Sequence, residues 1–277
     1  MSGARGDVAR ARSASRETVS YASAEADMNS ESRPLTRLFA NLDRWRHLPA
    51  YQLERRADVF FSLYLTGLLR EVTGVALSDI ILPELPIKRD IAFPESASHQ
   101  SFKVDYALFS EARDRVFFVE LKTDDASRRS EQDAYLAAAR KVGFRAIALG
   151  IRAIALRTDA HRKYFHLLAA LAELGYLALP EDLEAHVFPR PRRGLRKRLE
   201  AIEVVGPDAV VEVVYVQPTR AEDDAAGIVI DFHEVAARVS SHDDVVSRLF
   251  SEYLRRWSTP AGRRMPPRLP GASEVSE

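Results

Sequence analysis

Cysteine is absent from the 277 residues, and there is no net charge, because 40 basic residues balance 40 acidic residues. Without cysteine the chain has no disulfide, no thiolate metal ligand and no cysteine nucleophile, which is typical of proteins of a reducing cytosol. No apolar run approaches the ~20 residues of a membrane span, and the N-terminal segment lacks the apolar core of a secretory signal. We therefore expect a cytoplasmic bacterial protein without a membrane partner.

Several catalytic motifs are missing as well. The sequence contains no HExxH, no GxSxG, no P-loop and no GxGxxG. Zinc peptidases, serine hydrolases with a nucleophile elbow and enzymes that use a bound nucleotide therefore have no support from motifs. The seven histidines show no metal-ligand spacing, and His161 and His166 are five residues apart, on different faces of a helix. We interpret the histidines as ordinary surface or core residues.

Lysine is scarce, with six among the 40 basic residues. Lys122 is the only one of the six with an acidic residue two positions before it. Arginine stays charged in proteins, whereas the pKa of lysine shifts readily on burial. A site that needs a tunable ammonium cannot easily use arginine instead, so Lys122 is a candidate functional residue.

A basic segment stands out against the neutral total charge. Residues 190–198 read RPRRGLRKR, with six basic residues in nine: Arg190, Arg192, Arg193, Arg196, Lys197 and Arg198. One interpretation is an arm that binds nucleic-acid phosphates; the other is a solvated loop that pairs with Glu222, Asp223 and Asp224. No aromatic residue is interleaved, so a base-stacking platform is not expected in this segment.

The composition favours a single globular domain between two polar tails. Apolar residues make up 46% and charged residues 29% of the chain, which is ordinary for a soluble protein. Residues 1–33 and 258–277 lack apolar periodicity, and we expect both to be disordered. The domain at 34–257 divides into a core at 50–150, a helical insertion at about 144–200 and final strands at 208–232.

Periodicity and glycine positions predict the elements of this domain. The interleaved alanines favour a helix over Phe144–Arg157, although the spacing of its apolar residues fits the period of a helix and that of a strand. The other predicted helices are 51–72 with a stop at Gly74, Ser130–Val142 ended by Gly143, Ala160–Leu174 ended by Gly175, and Asp243–Trp257. The predicted strands are Ile80–Lys88, the two arms of the hairpin described next, Val210–Val216 and Gly227–Phe232.

The most informative feature is a predicted β-hairpin formed by Phe102–Phe109 and Val116–Lys122 around a polar turn. If the hairpin folds between Ala112 and Arg113, Asp105 lies directly opposite Glu120. Lys122 then projects beside Glu120, because residues two apart share a face. Opposed residues lie ~5 Å apart at Cβ, close enough for two carboxylates to bind one divalent cation.

This pattern resembles the signature of the PD-(D/E)xK phosphodiesterase superfamily, the restriction-endonuclease-like nucleases. Asp105 is followed by fourteen residues and then by Glu120-Leu121-Lys122, with Val104 in the place of the usual proline. The resemblance implies an α/β fold, a restriction-endonuclease-like αβββαβ core with a mixed central sheet and extra helices. It also implies a hydrolase that cleaves phosphodiester bonds in nucleic acid, most simply a DNA nuclease.

The resemblance also implies roles for individual residues. Asp105 and Glu120 would hold Mg²⁺ or Mn²⁺ with the backbone carbonyl of Leu121, and Lys122 would position the attacking water. Similar nucleases often take a further metal-ligating acid from the first helix; Glu54 is our choice and Asp58 the second. They also have a glutamine and a tyrosine after the lysine. The corresponding residues here are Gln132, which we include in the catalytic set, and Tyr135. The implied metal ligands are Asp105, Glu120, Leu121 and Glu54.

Alternatives remain open at this point. Glu120 and Lys122 taken alone fit an exposed ion pair worth ~0–1 kcal/mol, and Glu54 fits a boundary carboxylate paired with Arg55 or Arg56. The rival function is a catalytically silent nuclease-fold subunit that binds or regulates within a multi-protein bacterial system. A homodimer or a partner protein fits either function.

Overall fold

The computed structural model describes residues 33–48, 50–93, 101–123, 130–220 and 227–258. The two predicted tails lie outside the described residues except for Arg33 and Ser258. The acidic residues 222–224, proposed as partners of the basic segment, also lie outside them. Among the described residues, no helix is long and apolar enough to cross a membrane.

A mixed five-stranded sheet forms the centre of the molecule. In their order across the sheet, its strands are β1 Leu77–Lys88, β2 Ser101–Ser110, β3 Arg115–Leu121, β6 Val210–Gln217 and β7 Ile228–Asp231. β1 pairs antiparallel with β2 and β2 with β3, whereas β3 pairs parallel with β6 and β6 with β7. All five strand predictions are confirmed, and so is the α/β class with a mixed central sheet.

Helices cover both faces of this sheet, which explains why its central strands are continuously apolar. Two short strands, β4 Leu177–Ala178 and β5 Glu203–Val204, form a separate two-stranded sheet that the sequence did not reveal. The helices are α1 33–45, α2 Glu54–Ser62, α3 Leu65–Thr73, α4 Arg89–Ala92, α5 Ser130–Ala155, α6 His161–Glu173, α7 Leu183–Val187, α8 Leu195–Glu200, α9 Phe232–Val239 and α10 Val245–Trp257.

Two hydrophobic cores lie on opposite faces of the sheet. The first core contains Val116 and Phe118 of β3 and the buried sides of α5, α6, α7 and α8. The second core contains Phe117 and Val119 of β3 and the buried sides of α1, α2, α3, α9 and α10. Alternate residues of β3 therefore serve different cores, as the pleat of a strand requires.

The prediction of one helix over 51–72 is wrong, because the chain breaks into α2 and α3. Tyr64 leaves helical geometry at φ −117° and ψ −14°. Its hydroxyl forms a hydrogen bond of 2.7 Å with Ser247, and its ring stacks on Phe250 of α10. These contacts with a distant segment favour the break. The predicted stop is confirmed, since Gly74 caps α3 at φ 68°.

Gly143 divides α5 into two helical segments, as predicted. Its φ of 77° and ψ of 165° are not helical, and a Cβ at this position would lie 2.5 Å from Oδ1 of Asp208. The same oxygen accepts a hydrogen bond from the Arg145 N–H at 3.1 Å, at the start of the second segment. The helix interpretation of 144–157 is confirmed up to Ala155.

Candidate functional site

The register of the β2–β3 hairpin is the one predicted. Cα partners run from Tyr106 with Val119 to Phe109 with Val116. The same register sets Asp105 opposite Glu120, one step beyond the last of these pairs. Val116 and Phe118 lie in the first core. Glu120, two residues beyond Phe118, is on the same face of β3 and therefore faces α5.

The three charged residues of the hairpin meet at the end of β3. Oδ2 of Asp105 accepts a hydrogen bond of 2.8 Å from the Leu121 N–H, and Nζ of Lys122 lies 3.4 Å from Oε2 of Glu120. Glu120 is 1% exposed and Lys122 is 4% exposed. The interpretation of Glu120 and Lys122 as an exposed surface pair is therefore wrong.

The first two turns of α5 add two polar side chains to this group. Tyr135 donates a hydrogen bond of 3.1 Å to Oε1 of Glu120, and the amide of Gln132 donates to Oε2. Residues three apart on a helix lie on one side of it, so the two side chains reach the same carboxylate. Tyr135 is further held by its stacking on Phe102, with ring centroids 4.3 Å apart.

Burial makes both carboxyl groups hard to ionise. It raises the pKa of Asp105, an effect that the Leu121 N–H, the Lys122 ammonium and a hydrogen bond with the Glu120 carboxyl oppose. Burial also raises the pKa of Glu120 well above its ordinary value; the neighbouring Asp105 adds to the rise, and Lys122 opposes it. Two apposed carboxyl groups with raised pKa values favour one shared proton or a bound cation.

The backbone of Leu121 also faces Asp105. In an antiparallel pair a residue directs its N–H and its C=O toward the same neighbouring strand. Because the Leu121 N–H bonds to Asp105, the Leu121 carbonyl points to the same side, whereas the next amide, of Lys122, bonds to Val216 of β6 at 2.8 Å. The predicted third oxygen ligand is therefore on the side of the carboxylate pair.

Glu54 is the first residue of α2. α2 buries Ala57 and Phe61 in the second core, on the face of the sheet opposite Glu120. Within the described ranges, no group of three or more histidine or acidic side chains is arranged to hold a metal ion. Asp58, the second choice, is close to Tyr106 of the second core: burial raises the pKa of Tyr106 to about 12, and the charge of Asp58 contributes.

Tyr215 and Asp133 extend the group, and sequence reasoning missed both. Tyr215 of β6 is the register partner of Glu120, and its hydroxyl donates a hydrogen bond of 2.6 Å to Oδ1 of Asp133. The available signal was a lone tyrosine within the valine-rich run of β6. Its neighbour could not be inferred, because β3 and β6 are separated by almost ninety residues of sequence.

The basic segment lies on and before α8, which buries Leu195 and Leu199 in the first core. Arg196 pairs with Glu200 at 2.9 Å and Arg198 with Asp182 at 2.6 Å. Arg198 is half-buried, and the remaining members are exposed like Arg196: Arg190, Arg192, Arg193 and Lys197. The segment thus presents several exposed cations, and two of its arginines have acidic partners other than those anticipated.

Comparisons of the chain with protein-family models, with curated proteins and with solved structures found no match.

Proposed function

We propose that the protein is a divalent-metal-dependent phosphodiesterase that hydrolyses nucleic acid, with DNA as its substrate, on a restriction-endonuclease-like αβββαβ core. The order of the elements supports such a core: α2 and α3, the three antiparallel strands, α5, and then β6 parallel to β3. Asp105, Glu120 and Lys122 are at the end of the hairpin, next to the start of α5.

The observation that carries the proposal is the pair of carboxyl groups formed by the buried Glu120 and the half-buried Asp105. Glu120 is almost inaccessible and adjoins a second acid, so ionising both costs free energy in the protein without a ligand. The preceding positions on the same face of β3 are occupied by Phe118 and Val116. A fold that needed only packing would gain stability from apolar residues here, and a cation-binding site accounts for the acids.

The donor set fits a hard divalent cation. Asp105, Glu120 and the Leu121 carbonyl provide oxygen ligands only, and Mg²⁺ prefers oxygen ligands and keeps several of its waters. Two carboxyl groups with raised pKa values lose their protons to solvent most readily when a positively charged ligand binds between them. A bound divalent cation supplies a water of lowered pKa and neutralises charge on the phosphate.

The protein's own side chains would orient the ligands and balance the charge around the proposed metal position. The Lys122 ammonium, which lies beside Glu120, would hold a water and stabilise negative charge that develops on the phosphate. Gln132 and Tyr135 hold the two oxygens of Glu120, so the carboxylate keeps one orientation. Burial limits competing water around Glu120, Lys122 and Tyr135.

One observation favours a second candidate, a catalytically silent nuclease-fold subunit that binds or regulates. Both oxygens of Glu120 accept hydrogen bonds from Tyr135, Gln132 and Lys122. A buried carboxylate satisfied in this way is stable without a metal ion. The same contacts also serve a metal site, so the assay below separates the two candidates.

The deciding experiment incubates the full-length protein with single-stranded, double-stranded and branched DNA and with RNA, in Mg²⁺, in Mn²⁺ and in EDTA. We expect cleavage of DNA that needs the metal and is lost in Glu120→Gln. The matched control is Glu111→Gln, an exposed glutamate in the turn of the same hairpin. Absence of cleavage of every substrate by the wild-type protein would reject the enzyme and leave the binding subunit.

A further inference from the structure

α1 and the start of α2 form a second basic region, which differs from the basic segment because it contains aromatic residues. Residues 33–56 hold six arginines and two acidic residues, a net charge of +4 in a chain whose total charge is zero. One of the two acids, Asp43, accepts a hydrogen bond of 3.0 Å from the indole of the buried Trp257 and so takes part in packing α1 against α10.

The arginines of α1 lie on its solvent-facing side. Arg37 and Arg44 are both exposed, and residues seven apart on a helix share one side of it. The opposite side of α1 is buried, because Phe39 and Leu42 belong to the second core and the Phe39 ring stacks on Tyr253 with centroids 5.5 Å apart. The apolar side of α1 is therefore used in folding, and its cationic side faces solvent.

Two aromatic side chains connect this cationic side to α2. Trp45, the last residue of α1, is 40% exposed. Its ring meets that of Tyr51 edge-on, with centroids 6.0 Å apart and the ring planes at 63°. Burial raises the pKa of the Tyr51 hydroxyl, and the nearby Arg56 guanidinium opposes this rise. Cations and rings thus follow one another from α1 to α2.

The cations of this region have no acidic partner. In the part of the chain that the structure describes, no ion pair joins Arg37, Arg44 or Arg56 to a carboxylate, whereas the exposed Arg70 and Arg220 each pair with one. Unpaired guanidinium groups can neutralise phosphates, and an exposed indole offers a flat surface on which a base can stack.

We propose that this surface, formed by Arg37, Arg44, Trp45, Tyr51 and Arg56 and named the α1–α2 surface, binds single-stranded nucleic acid. Its guanidinium groups hold phosphates and its rings stack on unpaired bases. A duplex keeps its bases stacked inside, so a single strand fits the exposed rings better. Cleavage of the bound strand rests on the proposed function, whereas its binding needs no metal ion.

The packing of α1 disfavours an anionic membrane as the ligand. Helices that bind a membrane surface combine basic residues with tryptophan, but they insert an apolar side between the lipids. The apolar side of α1 is occupied by the second core through Phe39 and Leu42. Charge and exposed rings remain at the surface, and both match a strand that carries a phosphate and a base in every nucleotide.

The test measures fluorescence anisotropy of labelled oligo(dT), oligo(rU) and a DNA duplex with the full-length protein in EDTA, so that no substrate is cleaved. The ring variants are Trp45→Ala and Trp45→Phe, and the charge variant combines Arg37→Gln, Arg44→Gln and Arg56→Gln. The matched control combines Arg140→Gln, Lys141→Gln and Lys163→Gln, which removes three exposed cations of α5 and α6 on the opposite face of the sheet.

Trp45→Ala should weaken binding of the single strand by about 10–100-fold, the usual effect of losing one stacked base, and Trp45→Phe should keep most of the affinity. The charge variant should lower the slope of log K against log salt by ~0.7 for each lost contact, and the control should leave it unchanged. The oligonucleotide with the higher affinity, DNA or RNA, identifies the natural ligand.

Tryptophan fluorescence provides a second measurement that requires no change in the wild-type fold. The chain has two tryptophans, and Trp257 is 1% exposed. A single strand that stacks on Trp45 should quench the emission of the wild-type protein but not that of Trp45→Phe. If Trp45→Ala does not fold, this quenching and the charge variant decide.

Three results would overturn the inference: no binding of either single strand by the wild-type protein, wild-type affinity in Trp45→Ala, or an equal change of slope in the control. Quenching by vesicles of anionic phospholipid but not by oligonucleotides would assign the surface to a membrane instead.

Failure of this inference differs from failure of the proposed function. A wild-type protein that cleaves no substrate in Mg²⁺ or Mn²⁺, together with weakened binding in Trp45→Ala, rejects the enzyme and leaves the α1–α2 surface. A protein that cleaves DNA and binds it equally well with and without Trp45 rejects the surface alone.

Discussion

At the residue scale, Lys122 is the group whose removal separates binding from chemistry. Lys122→Ala leaves Asp105, Glu120 and the Leu121 carbonyl in place, so stabilisation by Mg²⁺ should persist. Cleavage should fall by about 10²–10³-fold, the usual effect of removing a group that stabilises developing charge. Thermal melts with and without Mg²⁺, together with single-turnover cleavage, measure the two effects.

Lys141→Ala is the control for this variant, because Lys141 is exposed on α5, away from the hairpin. It should change neither the melting shift nor the cleavage rate. A Lys122→Ala protein that cleaves at the wild-type rate would remove lysine from the mechanism.

Asp105 governs the response to metal and to pH. Its folded-state pKa is raised by burial, so the metal-free protein loses stability as pH rises from the unfolded pKa through the folded pKa. Asp105→Asn should therefore be more stable than wild type without metal at neutral pH, and the advantage should vanish in acid. Mg²⁺ at about 100 times its Kd should stabilise wild type by ~2.7 kcal/mol and the variant far less.

Urea denaturation between acid and neutral pH checks this expectation. Asp79→Asn is the matched control, since the Asp79 side chain is 91% exposed and pairs with Arg70 at the surface. Equal metal-induced stabilisation in wild type and Asp105→Asn would place any bound cation elsewhere.

At the element scale, the division of α5 at Gly143 aligns the two segments of this helix on the sheet. Gly143 occupies a backbone region that is essentially restricted to glycine, at a cost for other residues on the order of 3 kcal/mol. Its missing Cβ also leaves room for Asp208. Gly143→Ala should therefore destabilise the protein by about 3 kcal/mol.

Gly74→Ala is the matched control for this change. Gly74 also has a positive φ, of 68°, but a Cβ there would meet nothing within 4 Å. Its cost should be about 1 kcal/mol, that of a left-handed alanine alone. Chemical denaturation of both variants measures the difference, and equal costs would show that neither the backbone region of Gly143 nor its contact with Asp208 adds to the cost of a positive φ.

At the scale of the whole molecule, the exposed cations of the basic segment are the candidate contacts with phosphate. Neutralising Arg192, Arg193 and Arg196 to glutamine should weaken DNA binding and lower the slope of log K against log salt by ~0.9 for each lost contact. Cleavage of bound substrate at saturation should be unchanged, because these residues lie on or beside α8 rather than on the hairpin.

Fluorescence anisotropy across a salt series measures this slope. Arg140→Gln, Arg255→Gln and Arg256→Gln together remove three cations from other exposed surfaces, on α5 and α10. An equal change of slope in this control would show that binding depends on total charge and not on the segment.

Local patterns predicted much of the fold. The strands, the glycine stops at Gly74, Gly143 and Gly175, and the hairpin register all follow from short-range rules, and all are confirmed. The break at Tyr64 was not predictable, since it depends on contacts with α10, nearly two hundred residues away. The small sheet of β4 and β5 likewise pairs segments too short to show a period.

The approach of Asp105, Glu120 and Lys122 to one another was determined by the sequence, because a short turn and the two-residue period of strands act within twenty residues. The tertiary structure alone decided which side chains surround them. Docking of α5 brings Gln132 and Tyr135 onto Glu120, and parallel pairing brings Tyr215 beside it. Packing in the second core places α2, which begins at Glu54, on the opposite face of the sheet. These contacts join segments distant in sequence, and only burial of both faces of the sheet fixes their positions.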